Sequence, residues 1–220
     1  MRVLRLGWAA VIVLGLVIRA VGADVAPADV AKAVSAKLGL PGGTMPLAIR
    51  VIESEGARKW ELMFEDGNFK GNRRLVEFQG DKVVDDRAGT IDGVGSGALT
   101  PLLAGDLESR ITELRERAGI LAKMAEVDCH RVRLILFRPA ADATAHWEVE
   151  VADRTGQVVG RVVFGCPQPR LIASSWGADA KIVGPAQGGI EALGMEGVKA
   201  LQDLEERLRR LLQGQGEKEK

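Results

Sequence analysis

Four charged side chains, spaced two apart on adjacent runs, are the first candidates for chemistry. Arg131 and Arg133 alternate with Val132, Leu134 and Leu136; Glu148 and Glu150 alternate with Trp147, Val149 and Val151. A period of two predicts strands, with the charges on the face opposite the apolar side chains. Opposite charges across such a face are groups that a protein partner can read. The predicted register closes the loop Pro139-Ala140-Ala141-Asp142 with Arg138 facing Ala143. That sets Arg133 opposite Glu148, Arg131 opposite Glu150, Leu134 opposite Trp147 and Val132 opposite Val149.

The other reactive residue types are sparse or badly placed. Asp66, Asn68, Gly71 and Glu77 copy four positions of an EF-hand loop. Lys70 sets a cation where an oxygen ligand belongs and the flanks read as strands, so a hairpin loop is predicted. His130 and His146 fall on consecutive strands, roughly 16 Å apart at ~3.3 Å per residue in the predicted register. One metal cannot span that, and both are expected at the surface or rim. No G-x-S-x-G elbow is present, no glycine loop precedes a helix to cradle phosphate, and Ser174-Ser175-Trp176 has no histidine near it in sequence. Glu53, Glu55, Glu61 and Glu65 leave a carboxylate pair open. No catalytic, cofactor-binding or metal-ligating residue is assigned, and no cofactor is expected.

The elements that position these residues look like one pattern written twice. Trp60-Glu61-Leu62-Met63-Phe64-Glu65-Asp66 reads beside Trp147-Glu148-Val149-Glu150-Val151-Ala152-Asp153, and the same offset carries Arg74-Leu75-Val76 onto Arg161-Val162-Val163. Fixed-offset similarity marks a duplicated supersecondary unit. A helix precedes each copy: Asp29 to Leu38 behind Pro27, with Asp29 as a cap, and Asp106 to about Glu126 with a Leu107, Ile111, Leu114, Ala118, Leu121, Met124 stripe. Strands follow at Leu47-Ile49-Val51 and Val132-Leu134-Leu136, then the tryptophan strands. Third strands (Arg74 to Phe78; Val158 to Phe164) and fourth strands (Lys82 to Asp85; Arg170 to Ser175) complete two antiparallel meanders. A last helix, Glu196 to Gln213, places Val198, Leu201, Leu204, Leu208 and Leu211 on one side and acid-first pairs such as Glu206–Arg210 on the other.

The chain has 220 residues, with 30 basic and 30 acidic, so no basic field exists to hold a nucleic acid. Arg2 and Arg5, the uncharged run Leu6 to Ile18, and Val21-Gly22-Ala23 have the form of a secretory signal peptide cleaved after Ala23. The run is too short for a hydrocarbon core that needs about 20 residues, and no cysteine follows it to carry a lipid. The expected product is periplasmic or secreted, without a membrane span after processing.

The helix followed by W-E-L-x-F and Arg74-Leu75-Val76-Glu77-Phe78-Gln79-Gly80-Asp81-Lys82-Val83-Val84 resembles the PepSY domain. The second copy, with Asp153-Arg154-Thr155-Gly156-Gln157-Val158-Val159, is similar, although Cys166-Pro167-Gln168-Pro169 replaces its plain turn. The resemblance implies small exported helix-plus-sheet modules that bind or inhibit peptidases. Two in tandem would resemble the β-lactamase inhibitor protein fold, a curved sheet with helices behind.

The expected fold class is therefore α+β: two similar helix-plus-antiparallel-meander units and a C-terminal amphipathic helix. The divisions are a signal peptide (1–23), a first unit (24–88), a Gly-rich linker (89–105), a second unit (106–180), and a Gly-rich segment with the last helix and tail (181–220). The expected function is non-catalytic binding of a protein partner in the envelope or outside the cell, through a surface that includes Arg131, Arg133, Glu148 and Glu150. A small-ligand carrier, or a hydrolase using carboxylates on an exposed sheet face, is the alternative. Trp60 and Trp147 are expected to anchor two cores. Cys129 and Cys166 are expected at opposite ends of the second meander, roughly 25–30 Å apart, and therefore not bonded to each other.

Overall fold

The computed structural model describes residues 25–54, 57–69, 72–94, 98–140, 144–177 and 194–216. The expected signal peptide and the Gly-rich residues 178–193 lie outside them. Three helices, α1 (Pro27–Lys37), α2 (Ile111–Met124) and α3 (Gly194–Gly216), accompany eight strands. The strands are β1 (Ala48–Ser54), β2 (Ala57–Glu65), β3 (Arg73–Gln79), β4 (Lys82–Ala88), β5 (Arg131–Phe137), β6 (His146–Ala152), β7 (Val158–Gly165) and β8 (Leu171–Trp176). Pro27 opens α1, where a missing N–H costs nothing. Its N-cap is Ala26, and Asp29 lies in the first turn rather than at the cap.

All eight strands form one antiparallel sheet in the order β4-β3-β2-β1-β5-β6-β7-β8. The two meanders meet through their first strands, with Val51 opposite Leu134 and Ile49 opposite Leu136. Burial explains that join. Ala48, Ile49 and Val51 of β1 and Leu134, Ile135 and Leu136 of β5 are all buried, whereas β4 holds Lys82, Asp85, Asp86 and Arg87 and stays at an edge, where charge blocks further pairing.

One continuous core lies between the sheet and the helices. Trp60 and Trp147 belong to the same cluster, with Val34, Leu62, Phe64, Leu114, Leu121, Phe164 and Leu208. The expectation of two separate cores is corrected, because β1–β5 pairing fuses them. A smaller cluster on the other face joins Leu47, Met63, Leu75 and Ile135 to Ile91 and Val94. The stretch expected as a linker thus sends side chains onto that face, and Leu102 is buried in the main core.

The β5–β6 register differs from the expected one by two residues. Arg133 stands opposite Glu150, Arg131 opposite Ala152, Leu134 opposite Val149, Val132 opposite Val151 and Leu136 opposite Trp147. The ladder ends at Phe137 opposite His146, and the backbone after β5 bonds elsewhere. Thr100 N donates to Arg138 O at 3.0 Å, Ala140 N donates to Ala98 O at 2.9 Å, and Leu99 bridges Pro139. A slip of two keeps every side chain on its face, so alternation could not detect it.

The constant offset also breaks in the third strands. Trp60 stands opposite Phe78 and Trp147 opposite Phe164, which shortens the offset by one there. Arg74, opposite Phe64, therefore faces the helices, whereas Arg161, opposite Glu150, faces away from them.

Candidate protein-binding face

The sheet face away from the helices reads in rows across the strands. One row runs through Arg87, Leu75, Met63, Ala48, Phe137 and His146, and is largely apolar. Ile91, Val94 and Leu99 pack there, so the stretch after β4 straps that end of the face. The next row carries Asp85, Glu77, Glu61, Arg50, Ile135 and Glu148. The third carries Lys59, Ile52, Arg133, Glu150 and Arg161. Alternation alone produces these rows, because odd and even positions of each strand face opposite ways.

The charges in the two polar rows are tied together. Arg50 Nε donates to Glu61 Oε2 at 2.6 Å, and both residues are buried. Lys59 Nζ stands 2.7 Å from Glu77 Oε2 and 3.5 Å from Glu61 Oε1. Arg87 reaches Glu77 at 3.5 Å and also contacts Asp85. Between β5 and β6, Arg133 Nε lies 3.2 Å from Glu150 Oε2. Arg161 bridges two acids, with Nη1 2.9 Å from Glu148 Oε1 and Nη2 2.8 Å from Glu150 Oε1.

The acids sit low and the bases reach over them. Side-chain exposure is 4% for Glu61 and 7% for Glu150, against 35% for Lys59, 33% for Arg133 and 49% for Arg87. The Lys59 ammonium and the Arg133 guanidinium are thus the outer groups, with the Glu61 and Glu150 carboxylates beneath them. Burial pushes the Glu148 carboxyl above its ordinary range, although Arg161 opposes the shift. The hydrogen bond to Glu77 raises the Lys59 ammonium, against burial.

Of the four residues predicted for this surface, Arg133, Glu148 and Glu150 fall in one cluster, joined by Arg161. Arg131 is exposed further along β5, opposite Ala152. Sequence reasoning noticed Arg161 only as a repeat match. Its alternation with Val162 and Gly160 on the strand after the glutamates was the available signal. The Arg50–Glu61 pair had a similar one, at alternating positions of two neighbouring strands.

The remaining candidates are placed elsewhere. Asp66 accepts hydrogen bonds from Asn68 N at 3.0 Å and Arg74 Nη1 at 3.3 Å, which hold the β2–β3 loop. His146 is buried, 7% exposed and edge-on to Phe137 with ring centroids 4.5 Å apart. That corrects its expected place at the rim: on β6 it lies between Phe137 of β5 and Gly165 of β7. His130 is exposed at the other end of the hairpin. Cys129 and Cys166 are both free thiols, one before β5 and one after β7, at opposite ends of these strands. Cys166 Sγ donates to Asp106 O at 2.9 Å and lies 3.3 Å from Ser109 Oγ; burial pushes its pKa up to about 11.

Among the described residues, no helix is long and apolar enough to cross a membrane. No family model matches the chain, and no curated protein matches it. A solved structure described as "a putative lipoprotein (CD1622) from Clostridium difficile 630" is similar in fold, at 6% sequence identity and a TM-score of 0.41. The match covers 69% of this chain and 93% of that one.

Proposed function

We propose that this chain is an exported, non-catalytic binding module that meets a protein partner through the two polar rows of its sheet. The observation that supports this reading most is the arrangement of charge. Lys59, Arg133 and Arg161 are held at fixed spacing by the buried Glu61 and Glu150 and the half-buried Glu77 and Glu148, and Arg87 reaches into these rows from the neighbouring one through Glu77. Preformed charges lose little side-chain entropy when a partner docks, and they select its orientation. The order of elements, a helix and a meander twice over, is compatible with a tandem PepSY-like origin, and a peptidase is the partner class that such an origin implies. Under this reading the strap formed by Ile91 and Val94 sets one limit of the contact area and the open polar rows supply the rest.

The test is capture of envelope proteins on the immobilised mature chain, repeated with Arg87→Glu and Arg133→Glu together. Retention of a partner by the wild type and its loss on the double variant supports the reading. Equal retention by both contradicts it. A hydrolase reading would instead require an activity that Glu148→Gln abolishes.

A further inference from the structure

Three cations stand in one straight row across the sheet, on every second strand. Lys59 of β2 is opposite Ile52 of β1, and Ile52 is opposite Arg133 of β5. Arg133 is opposite Glu150 of β6, and Glu150 is opposite Arg161 of β7. Neighbouring strands lie about 4.7–4.9 Å apart, so the cationic positions repeat at about 9.5 Å and span about 19 Å. Between them the row is low. Glu150 is buried, with its carboxylate shared by Arg133 and Arg161, and Ile52 is half-buried. In the next row Glu61 is buried, and Glu77 and Glu148 are half-buried. Arg131, exposed two residues before Arg133 and on the same face of β5, adds a further positive group beside the row.

Resting on the reading that these rows bind a protein, we infer that the partner's contacting element is an acidic helix with carboxylates one heptad apart, laid along the row and across the strands. Charge sets the sign. The outer groups are cations already fixed by acids below them, so carboxylates meet them without rearrangement. Spacing sets the secondary structure. In an α-helix, positions i, i+7 and i+14 are about 10.5 Å apart at ~1.5 Å per residue, and they drift only about 20° per heptad around the axis. Three such acids therefore reach Lys59, Arg133 and Arg161 together from one face. An extended strand does not match. Its same-face residues are about 6.6 or 13.2 Å apart at ~3.3 Å per residue, and a three-residue step near 10 Å turns every second side chain away. Ile52 gives the helix an apolar contact between the first two acids.

Two Ala-rich helical peptides of identical composition test this by NMR titration of the mature chain. Both exceed the ~15 residues below which an isolated helix is marginal. One carries glutamates at i, i+7 and i+14; the other carries them at i, i+5 and i+10, which scatters them around the axis. The heptad peptide should bind at least about fivefold more tightly and shift the Arg133 and Arg161 Nε–H signals. Lys59→Gln, at one end of the row, should reduce that advantage. Equal affinity for the two peptides, or binding of neither, overturns the inference, and so does a preference that Lys59→Gln leaves unchanged. The two-peptide comparison uses the unsubstituted chain, so it holds whether or not a variant folds. Envelope capture separates the two levels. A partner lost on Arg87→Glu with Arg133→Glu, while neither peptide is preferred, overturns the helix and leaves the binding face standing. A partner that the double variant retains removes the reading and this inference with it.

Discussion

The indole of Trp176 lies against Gly160 across the β7–β8 pair. A Cβ built on Gly160 would stand 2.3 Å from two of the ring carbons. No side chain fits without moving the ring, and Trp176 closes the end of the edge strand over the core. Gly160→Ala should therefore cost about 1–3 kcal/mol, the usual range for forced overpacking. It should also change the tryptophan fluorescence of the folded protein. Wild-type stability with an unaltered spectrum would refute this contact.

Trp60 and Trp147 are 4% and 0% exposed within one core. Replacing either with alanine should cost about 3–5 kcal/mol. Because the core is shared, each substitution should lower the denaturation midpoint of the whole protein in one transition. Two separable transitions in Trp60→Ala would restore the picture of independent cores.

Arg50 and Glu61 form a buried ion pair. Removing one partner leaves an uncompensated charge, so Arg50→Ala should cost about 3–5 kcal/mol. Arg50→Met with Glu61→Leu removes both charges at similar volume and should lie much closer to wild type. Chemical denaturation of the three proteins decides it: equal losses for the single and double variants would contradict the pairing.

Two carboxylates should pull stability in opposite directions with pH. Burial acts to raise the Glu53 carboxyl, but hydrogen bonds and charge from Arg115 and Arg58 outweigh it and leave it below its ordinary 4.5. Its contribution is complete above that value and is lost as pH falls through the lowered one. Glu148 is raised by burial, so its contribution is present below about 4.5 and is lost as pH rises through the raised value. Glu53→Gln should reduce stability at neutral pH and lessen the loss on acidification, whereas Glu148→Gln should flatten the decline with rising pH. Titration of the two carboxyl groups by NMR checks both signs directly.

Counting thiols on the denatured, unreduced protein should give two per chain, as neither cysteine is bonded. In the folded protein Cys166, at about 11, should hold about a hundredth of the thiolate of an ordinary site and alkylate correspondingly slowly. Rapid labelling of Cys166 in the folded state would contradict its burial beside Asp106 and Ser109.

Most strands were legible because their alternation is strong, and the face of each charge followed from it. The position of β4 at an edge was legible too, in Asp85, Asp86 and Arg87. The β5–β6 register was not. A shift of two leaves the alternation intact, and the decisive contacts, Thr100 to Arg138 and Ala98 to Ala140, come from a stretch that reads as glycine-rich linker. The joining of β1 to β5 was not read, because alternation sets the face of each side chain but not which strand lies beside it, although two apolar first strands cannot both remain edges without exposing their backbone. The offset that matched Arg74 with Arg161 ignored the residue lost before the third strand, and so merged side chains that point to opposite faces. Glu205 was legible only as a helix-surface acid, since its partners Arg117 and Leu171 are distant in sequence.

The central claim is that the open polar rows bind a protein. Its most direct measurement compares partner retention by wild type, by Arg87→Glu with Arg133→Glu, and by Arg210→Glu, a control on the exposed side of α3. The account predicts equal retention by wild type and Arg210→Glu, and at least a tenfold loss for the double variant. Undiminished retention by a folded double variant would contradict it.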